Sequence, residues 1–338
     1  FYKDDPELEA VWSQLPGYME KAFRYMNVRF GKYPWPQYSF AQGGDGGMEY
    51  PMLTLITGKR RLASLVGVSV HESAHSWYYG ALASNEGRFA WMDEGMTEYA
   101  SSKVMQHLFG VQDDPHASAF DGYRGLVESG DHEPPTVHAD HFLTNAAYGA
   151  TAYSFGEMII HQLGAVIGEE ELAKGLLRYY EACRFKHPEP IDLELALEKQ
   201  SGLELDWYFD QWVGTTRTLD YAITEVLQVG DSLRIALARK KDILMPVDLQ
   251  LVRRDGARVN YHIPLSLTRA ARKPSSDRET FIALPPWQWT DPTYTFSVKA
   301  DIGELSGVLL DPFRRTADLD RDNDVVVLPD GARGAARP

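Results

Sequence analysis

The sequence predicts an α+β protein in which a mainly helical part is followed by an antiparallel β-sandwich. Apolar residues recur at spacings of three and four over most of residues 6–212, which is typical of amphipathic helices. After Thr218 the period changes to two, which is typical of strands with one buried face. The 338 residues suffice for about two domains. We therefore expect one domain over 1–217, a second over 218–330, and a disordered tail over 331–338.

The helical part opens with a helix predicted over residues 6–30, which begins after two aspartates and a proline. Two short extended runs, 37–42 and 52–57, flank a glycine-rich stretch that suits a turn or an exposed edge. Further helices are predicted over 61–82, 92–109, 116–129, 151–167, 169–183, 191–200 and 203–212, with a long loop over 130–147. Alternating patterns predict strands over 232–238, 247–251, 259–267, 280–284 and 294–299.

The formal net charge is −14, and almost all of it lies in the helical part, since residues 1–220 carry −15. An acidic chain lacks the clustered cations that bind phosphate backbones, so we expect no nucleic acid partner. The single cysteine, Cys183, excludes an internal disulfide framework. No apolar run reaches the roughly 18 residues of a membrane span.

The chain starts at Phe1, and its first segment already predicts a helix. We therefore expect it to be part of a longer protein whose upstream part is absent. The sequence leaves the oligomeric state open and favours a periplasmic or secreted location without determining it.

The chemistry centres on His71, Glu72 and His75, which form an H-E-x-x-H motif inside a predicted helix. Residues at i and i+4 share one helix face, so both imidazoles can reach one metal ion. Glu72 lies about 100° around the helix, beside the ion, where it suits a base acting on water. The alternative is a pair of surface or capping histidines on an ordinary helix.

Glu94 is the expected third ligand, because it opens the next predicted helix 19 residues after His75. Two helices joined by a loop would bring it opposite both histidines. Two histidines and one carboxylate leave a fourth tetrahedral position for water, which is the pattern of catalytic zinc. We therefore predict one Zn²⁺ bound by His71, His75 and Glu94.

Four segments together resemble the M1 zinc aminopeptidases of the gluzincin clan. The zinc helix HESAHSWYYG (71–80) is similar to H-E-x-x-H-x-W-x-G, and WMDEGMTEY (91–99) is similar to W-x-x-E-G-x-x-x-Y. GGMEY (46–50) resembles the exopeptidase motif G-x-M-E-N, and YSFG (153–156) resembles Y-x-K-G. The resemblance implies a thermolysin-like catalytic domain followed by the β-sandwich, and an activity on peptides with a free amino terminus.

The same resemblance assigns roles to further residues. Glu72 would act as the general base, and Tyr153 would donate to the developing oxyanion, with Tyr148 as the rival for that role. Glu98, one helical turn after Glu94, would orient a ligand histidine unless it is an ordinary exposed charge.

The exopeptidase segment implies a site for the substrate's amino terminus. Glu49 would hold the ammonium group, so that only the first peptide bond meets the metal. Gly46 and Gly47 would let the substrate backbone approach closely, and Met48 would line part of the pocket for the first residue. The alternative to this functional interpretation is that Glu49 has no role and that the segment is an ordinary turn before a strand.

Two positions depart from the family pattern, since Tyr50 replaces an asparagine and Phe155 replaces a lysine. The β domain that roofs the site in many members would lie upstream of this chain. The sequence therefore predicts a zinc aminopeptidase. A zinc endopeptidase of the same clan and an inactive zinc-binding module in this truncated form remain the alternatives.

Overall fold

A computed structural model describes residues 1–268, 270–274, 280–330 and the backbone of 335–336. Helices and several sheets are both present, which confirms the α+β class. Contacts divide the chain into two compact units. The first unit comprises residues 1–161 and 173–200, and the second comprises 162–172 and 201–338.

Ten α-helices are present in the described residues: α1 (Pro6–Trp12), α2 (Leu15–Arg29), α3 (Leu62–His75), α4 (Met96–Phe109), α5 (Ala117–Ser129), α6 (Asn145–Ala150), α7 (Gly156–Ile167), α8 (Glu169–Cys183), α9 (Pro190–Ser201) and α10 (Asp206–Trp212). The prediction of a single helix over 6–30 is wrong in one respect, because the helix is interrupted at residues 13–14. Pro16 lies in the first turn of α2, where a missing N–H costs nothing, so the chain restarts a helix there. The long loop predicted over 130–147 is also shorter, since α6 begins inside it.

A small three-stranded sheet lies beside α3 in the first unit. β1 (Ser39–Gly43) pairs in parallel with β3 (Leu53–Thr57), and β2 (Gly47–Met48) pairs antiparallel with the other side of β3. The glycine-rich stretch thus ends in a short edge strand, as the sequence predicts. This edge strand contacts α3, and it brings the segment after Gly46 next to the H-E-x-x-H helix.

Three π-helical turns punctuate the helices of the first unit, at Ser76–Ala81, Trp91–Gly95 and Thr151–Phe155. The second and third pack against each other. A Cβ atom on Gly95 would lie 2.5 Å from the backbone of Gly156, a distance that real Cβ atoms do not tolerate. Glycine at both positions therefore lets the two turns meet backbone to backbone.

The described residues of the second unit form nine further strands: β4 (Tyr221–Val229), β5 (Ser232–Arg239), β6 (Val247–Arg253), β7 (Arg258–Ile263), β8 (Phe281–Ala283), β9 (Thr293–Lys299), β10 (Leu305–Leu310), β11 (Val325–Val327) and β12 (Ala335–Ala336). They form one sheet of order β11-β10-β6-β7-β8 and another of order β12-β4-β5-β9. All pairs are antiparallel except β7 with β8.

The second unit also includes α10, which lies before the boundary that the sequence predicts near 217. Gln211 of α10 accepts a hydrogen bond from the Leu244 N–H, and Tyr208 accepts one from Gln162. Of the predicted tail, only the backbone of 335–336 is described, as strand β12. The rest of that prediction concerns residues outside the described ones. None of the described helices has the length and hydropathy that crossing a bilayer requires.

Candidate active site

Three potential metal ligands meet in the first unit, two from the last turn of α3 and one from the turn Trp91–Gly95. The Nε2 atoms of His71 and His75 lie 3.1 Å apart. Oε2 of Glu94 lies 3.4 Å from the first of these atoms and 3.3 Å from the second. The i, i+4 spacing on α3 therefore does place both imidazoles on one face, opposite the carboxylate.

This triangle matches the geometry of a tetrahedral zinc site. Zinc–nitrogen bonds of about 2.0–2.1 Å imply ligand atoms about 3.3–3.4 Å apart at tetrahedral angles. Oε2 of Glu94 is buried and has no hydrogen-bond partner among the described residues, as expected of an atom that faces an ion. The donor set and the spacing of His71, His75 and Glu94 thus fit zinc.

Each histidine has a carboxylate near its other ring nitrogen. Nδ1 of the buried His75 donates to Oδ1 of Asp93 over 2.6 Å, and Nδ1 of His71 lies 3.3 Å from Oε1 of Glu98. Such carboxylate–histidine pairs fix the tautomer of a metal ligand. Sequence reasoning proposed Glu98 for this position but missed Asp93, whose place directly before Glu94 was the available indication.

The pKa values of the carboxyl groups diverge because their surroundings differ. Burial raises the pKa of Glu94, but the nearby imidazoles of His71 and His75, and after them the hydroxyl of Tyr153, outweigh it and lower the pKa to about 2. Glu72 is buried and its pKa rises to about 7, with desolvation as the main cause. A dication beside Glu72 would lower that value, so the carboxyl would be ionised at neutral pH.

Glycine at position 47 makes room for Glu72. A Cβ on Gly47 would lie 2.1 Å from Oε1 of Glu72 and 2.8 Å from the side chain of Val68. The backbone of β2 is therefore pressed against the carboxylate, and any larger residue would displace it. Gly46 is anchored separately, because its carbonyl accepts a hydrogen bond of 2.6 Å from Arg60.

Glu49 lies at the same centre, with a carboxylate oxygen within 4.8 Å of ligand atoms of Glu72 and His75. It also lines a cavity of about 310 Å³ together with His75, Tyr50 and Tyr79. Met48, just before it, is 36% exposed. The cavity thus combines an acidic group with aromatic walls next to the histidines.

Tyr153 is the tyrosine in direct contact with the ligand set. Its hydroxyl donates to Oε1 of Glu94 over 2.5 Å, and its ring stacks on His71 with centroids 6.0 Å apart. Tyr148 is half-buried nearby, where desolvation and then the charge of Glu94 raise its pKa. The packing of Gly95 against Gly156 explains the contact, since it holds the turn of Tyr153 against the turn of Glu94.

The model of the Peptidase family M1 domain matches residues 17–212, which is more than half of the chain. The chain belongs to peptidase family M1. Among its relatives, aminopeptidase B of Mus musculus is 29% identical over 260 residues, which cover 67% of this chain and 38% of that protein. Leukotriene A-4 hydrolase of Xenopus laevis is 29% identical over 184 residues, which cover 48% and 28%.

A solved structure of Legionella pneumophila aminopeptidase A in complex with aspartic acid has a similar fold. The TM-score is 0.66 at 14% identity, and the match covers 94% of this M1 chain and 35% of that one. The M1 chain thus spans well under half the length of these relatives. The similarity at this level of identity concerns the fold.

Proposed function

We propose that this chain carries the catalytic centre of a zinc-dependent aminopeptidase, which hydrolyses the amino-terminal peptide bond of peptides. The observation that carries the proposal is the triangle of His71, His75 and Glu94, with Glu72 and Glu49 at its border. Family membership and the names of the relatives support the same activity. The proposed cofactor is one Zn²⁺ at this triangle.

The proposed catalysis divides the work among a bound zinc ion, Glu72 and Tyr153. Zinc in this site would supply Lewis acidity, which acidifies a water molecule and polarises a carbonyl. Glu72 accepts the proton of the attacking water and returns it to the nitrogen of the leaving peptide. Tyr153, whose hydroxyl donates to Glu94 in this structure, turns to donate to the oxyanion instead.

In the proposed reaction, Glu49 determines which peptide bond of the substrate is cleaved. A carboxylate this close to Glu72 and His75 would bind the ammonium of a free amino terminus. Holding the ammonium there fixes which peptide bond reaches Glu72, because only the first residue of the substrate lies between its ammonium group and its first peptide bond. The cavity beside Glu49 is the proposed pocket for the first side chain.

We also propose the domain organisation that goes with this function. Residues 1–217 would form a thermolysin-like catalytic domain, and 218–330 would form the β-sandwich. Contacts of β4 with β10 and β11, strands of the other sheet, support the sandwich.

The direct test replaces the base without touching a ligand. In the natural protein that contains this chain, Glu72→Gln should lower kcat on aminoacyl-coumarin substrates by about 100- to 10,000-fold. Zinc content should stay at the parent value, and Glu9→Gln on the exposed side of α1 serves as the control. Full activity in Glu72→Gln with zinc bound would overturn the mechanism.

A further inference from the structure

A second group of histidines lies outside the site described above, in the same compact unit. Asp114 and His116 belong to the segment between α4 and α5, and His161 lies on α7. One nitrogen or oxygen atom from each lies within 4.8 Å of the others. The two imidazole rings stack with their centroids 4.2 Å apart, and Oδ2 of Asp114 lies 3.7 Å from Nε2 of His161.

The imidazole of His116 is held in one orientation by a buried carboxylate. Nδ1 donates to Oε1 of Glu157 over 2.7 Å, and Ser102 donates to the same oxygen over 2.6 Å. When Glu157 is ionised, the proton of this bond lies on Nδ1, and the other nitrogen, Nε2, carries a lone pair. That atom belongs to a residue with no exposed surface, and it has no hydrogen-bond partner among the described residues.

A buried lone pair without a donor is unusual, because buried polar groups are nearly always satisfied. In this tautomer the neutral ring offers Nε2 as a metal ligand. The arrangement also repeats that of the first site, where Asp93 holds Nδ1 of His75 and leaves Nε2 for the ion.

We propose that Asp114, His116 and His161 bind a second divalent metal ion of the zinc type. Two imidazole nitrogens and one carboxylate oxygen are the donors that zinc and similar transition metals prefer. Calcium and magnesium are disfavoured, because they take mainly oxygen ligands. Glu157 acts here as a positioning residue, since it would orient His116 without touching the ion.

Such an ion would have a route to its site and a structural consequence. Asp114 is exposed and borders a groove of about 930 Å³ that also reaches Ser102 and His71. The ion would tie the segment before α5 to the middle of α7. Because α7 begins directly after the turn of Tyr153, the tie would stabilise the helix that follows that tyrosine.

Metal titration of the natural protein tests the proposal without relying on activity. Co²⁺ added to metal-free protein should give a break in the visible absorption at two equivalents. The Asp114→Asn, His161→Gln double variant should give it at one, and Asp113→Asn, on the neighbouring exposed residue, should keep two. His71→Gln identifies the first site separately. It should remove the metal equivalent that Asp114→Asn leaves in place.

Glu157→Gln gives a second readout and keeps the proposal testable if the double variant does not fold. Loss of the carboxylate behind His116 should weaken the second ion by about 10- to 100-fold and leave the first unchanged. A break at one equivalent in the parent protein would overturn the proposal. So would a second equivalent that binds equally well in the double variant and in Glu157→Gln.

Discussion

Two histidine clusters in the first compact unit share the same donor types but differ in how the chain assembles them. His71 and His75 are one helical turn apart, so their spacing alone places both on one face. The second cluster joins Asp114 and His116 of a connecting segment to His161 on a distant helix. A regular helix converts sequence spacing into geometry, whereas a connecting segment does not.

The surroundings of the two clusters also differ. The first is bordered by Glu72 and Glu49, which can exchange protons and bind an ammonium group. Around the second, the ring of Tyr99 stacks on His116 and the ring of Phe120 meets His161 edge-on. The first cluster is therefore suited to chemistry, and the second to holding an ion in place.

After removal of the base itself, the largest expected effect comes from displacing that base in the first cluster. In Gly47→Ala, the new methyl group would overlap Oε1 of Glu72 and displace the carboxylate. We expect kcat to fall about 100-fold, because displacements of about 1 Å cost that much in positioned catalysis. Steady-state kinetics with an aminoacyl-coumarin substrate measures this.

Gly44→Ala is the matched control for that substitution. It lies in the same glycine-rich stretch, but no atom lies within 4 Å of its added methyl group. We expect kcat and KM close to those of the parent. Equal activity of the two variants would show that the backbone at position 47 does not limit where Glu72 lies.

A smaller effect is expected when a carboxylate that contacts a ligand histidine is replaced, and this effect can be compared between the two clusters. Asp93→Asn removes the charge that orients His75, and we expect zinc at the first site to bind about 10- to 100-fold more weakly. Competition against a chromogenic chelator measures the affinity. The second site should be unaffected, so a parallel loss at both sites would indicate general unfolding rather than a local effect.

The last effect concerns the stability of the metal-free protein as a function of pH. Burial raises the folded-state pKa of Glu157 to about 7, so the folded state keeps a proton that the unfolded state loses near 4.5. Stability from this group is present below the unfolded pKa and is lost as pH rises through 7. Over that window the loss amounts to at most about 3 kcal/mol.

The pKa of Glu94 in the first cluster is shifted in the opposite direction, so its effect on stability has the opposite pH dependence. Its folded-state pKa falls to about 2, so its stabilisation is present above 4.5 and is lost as pH falls toward 2. The shift at Glu157 is tested by thermal melting from pH 4 to 8, in which the stability of Glu157→Gln should increase relative to that of the parent as pH rises. Parallel melting curves for the two proteins would contradict the raised pKa of Glu157.

Much of the fold was predictable from the sequence where the patterns are regular. The zinc helix, the edge strand and most strands of the second unit follow their periodicities. Strand β4 was missed because its alternation is broken: the register shifts between Ile223 and Glu225, and neighbouring side chains are buried together. Contacts between distant segments, such as Gly95 with Gly156, leave no periodic trace in the sequence.

The candidate site shows the same limit. His71, Glu72, His75 and Glu94 could be predicted because each lies at a fixed place on a helix or in a motif. The second cluster could not, because α5, α6 and the turn Thr151–Phe155 lie between His116 and His161 in the sequence. The acidity of the helical part was visible at once, but the contact of Asp93 with His75 was found only in the structure.

The central claim is that Glu49 and the metal triangle together make an aminopeptidase. The most direct measurement compares L-alanyl-coumarin amide with its N-acetylated form, using the natural protein that contains this chain. We predict hydrolysis of the free substrate alone, with a large fall in kcat/KM in Glu49→Gln. Equal hydrolysis of the acetylated substrate, or no hydrolysis of either by the zinc-loaded protein, would contradict the account.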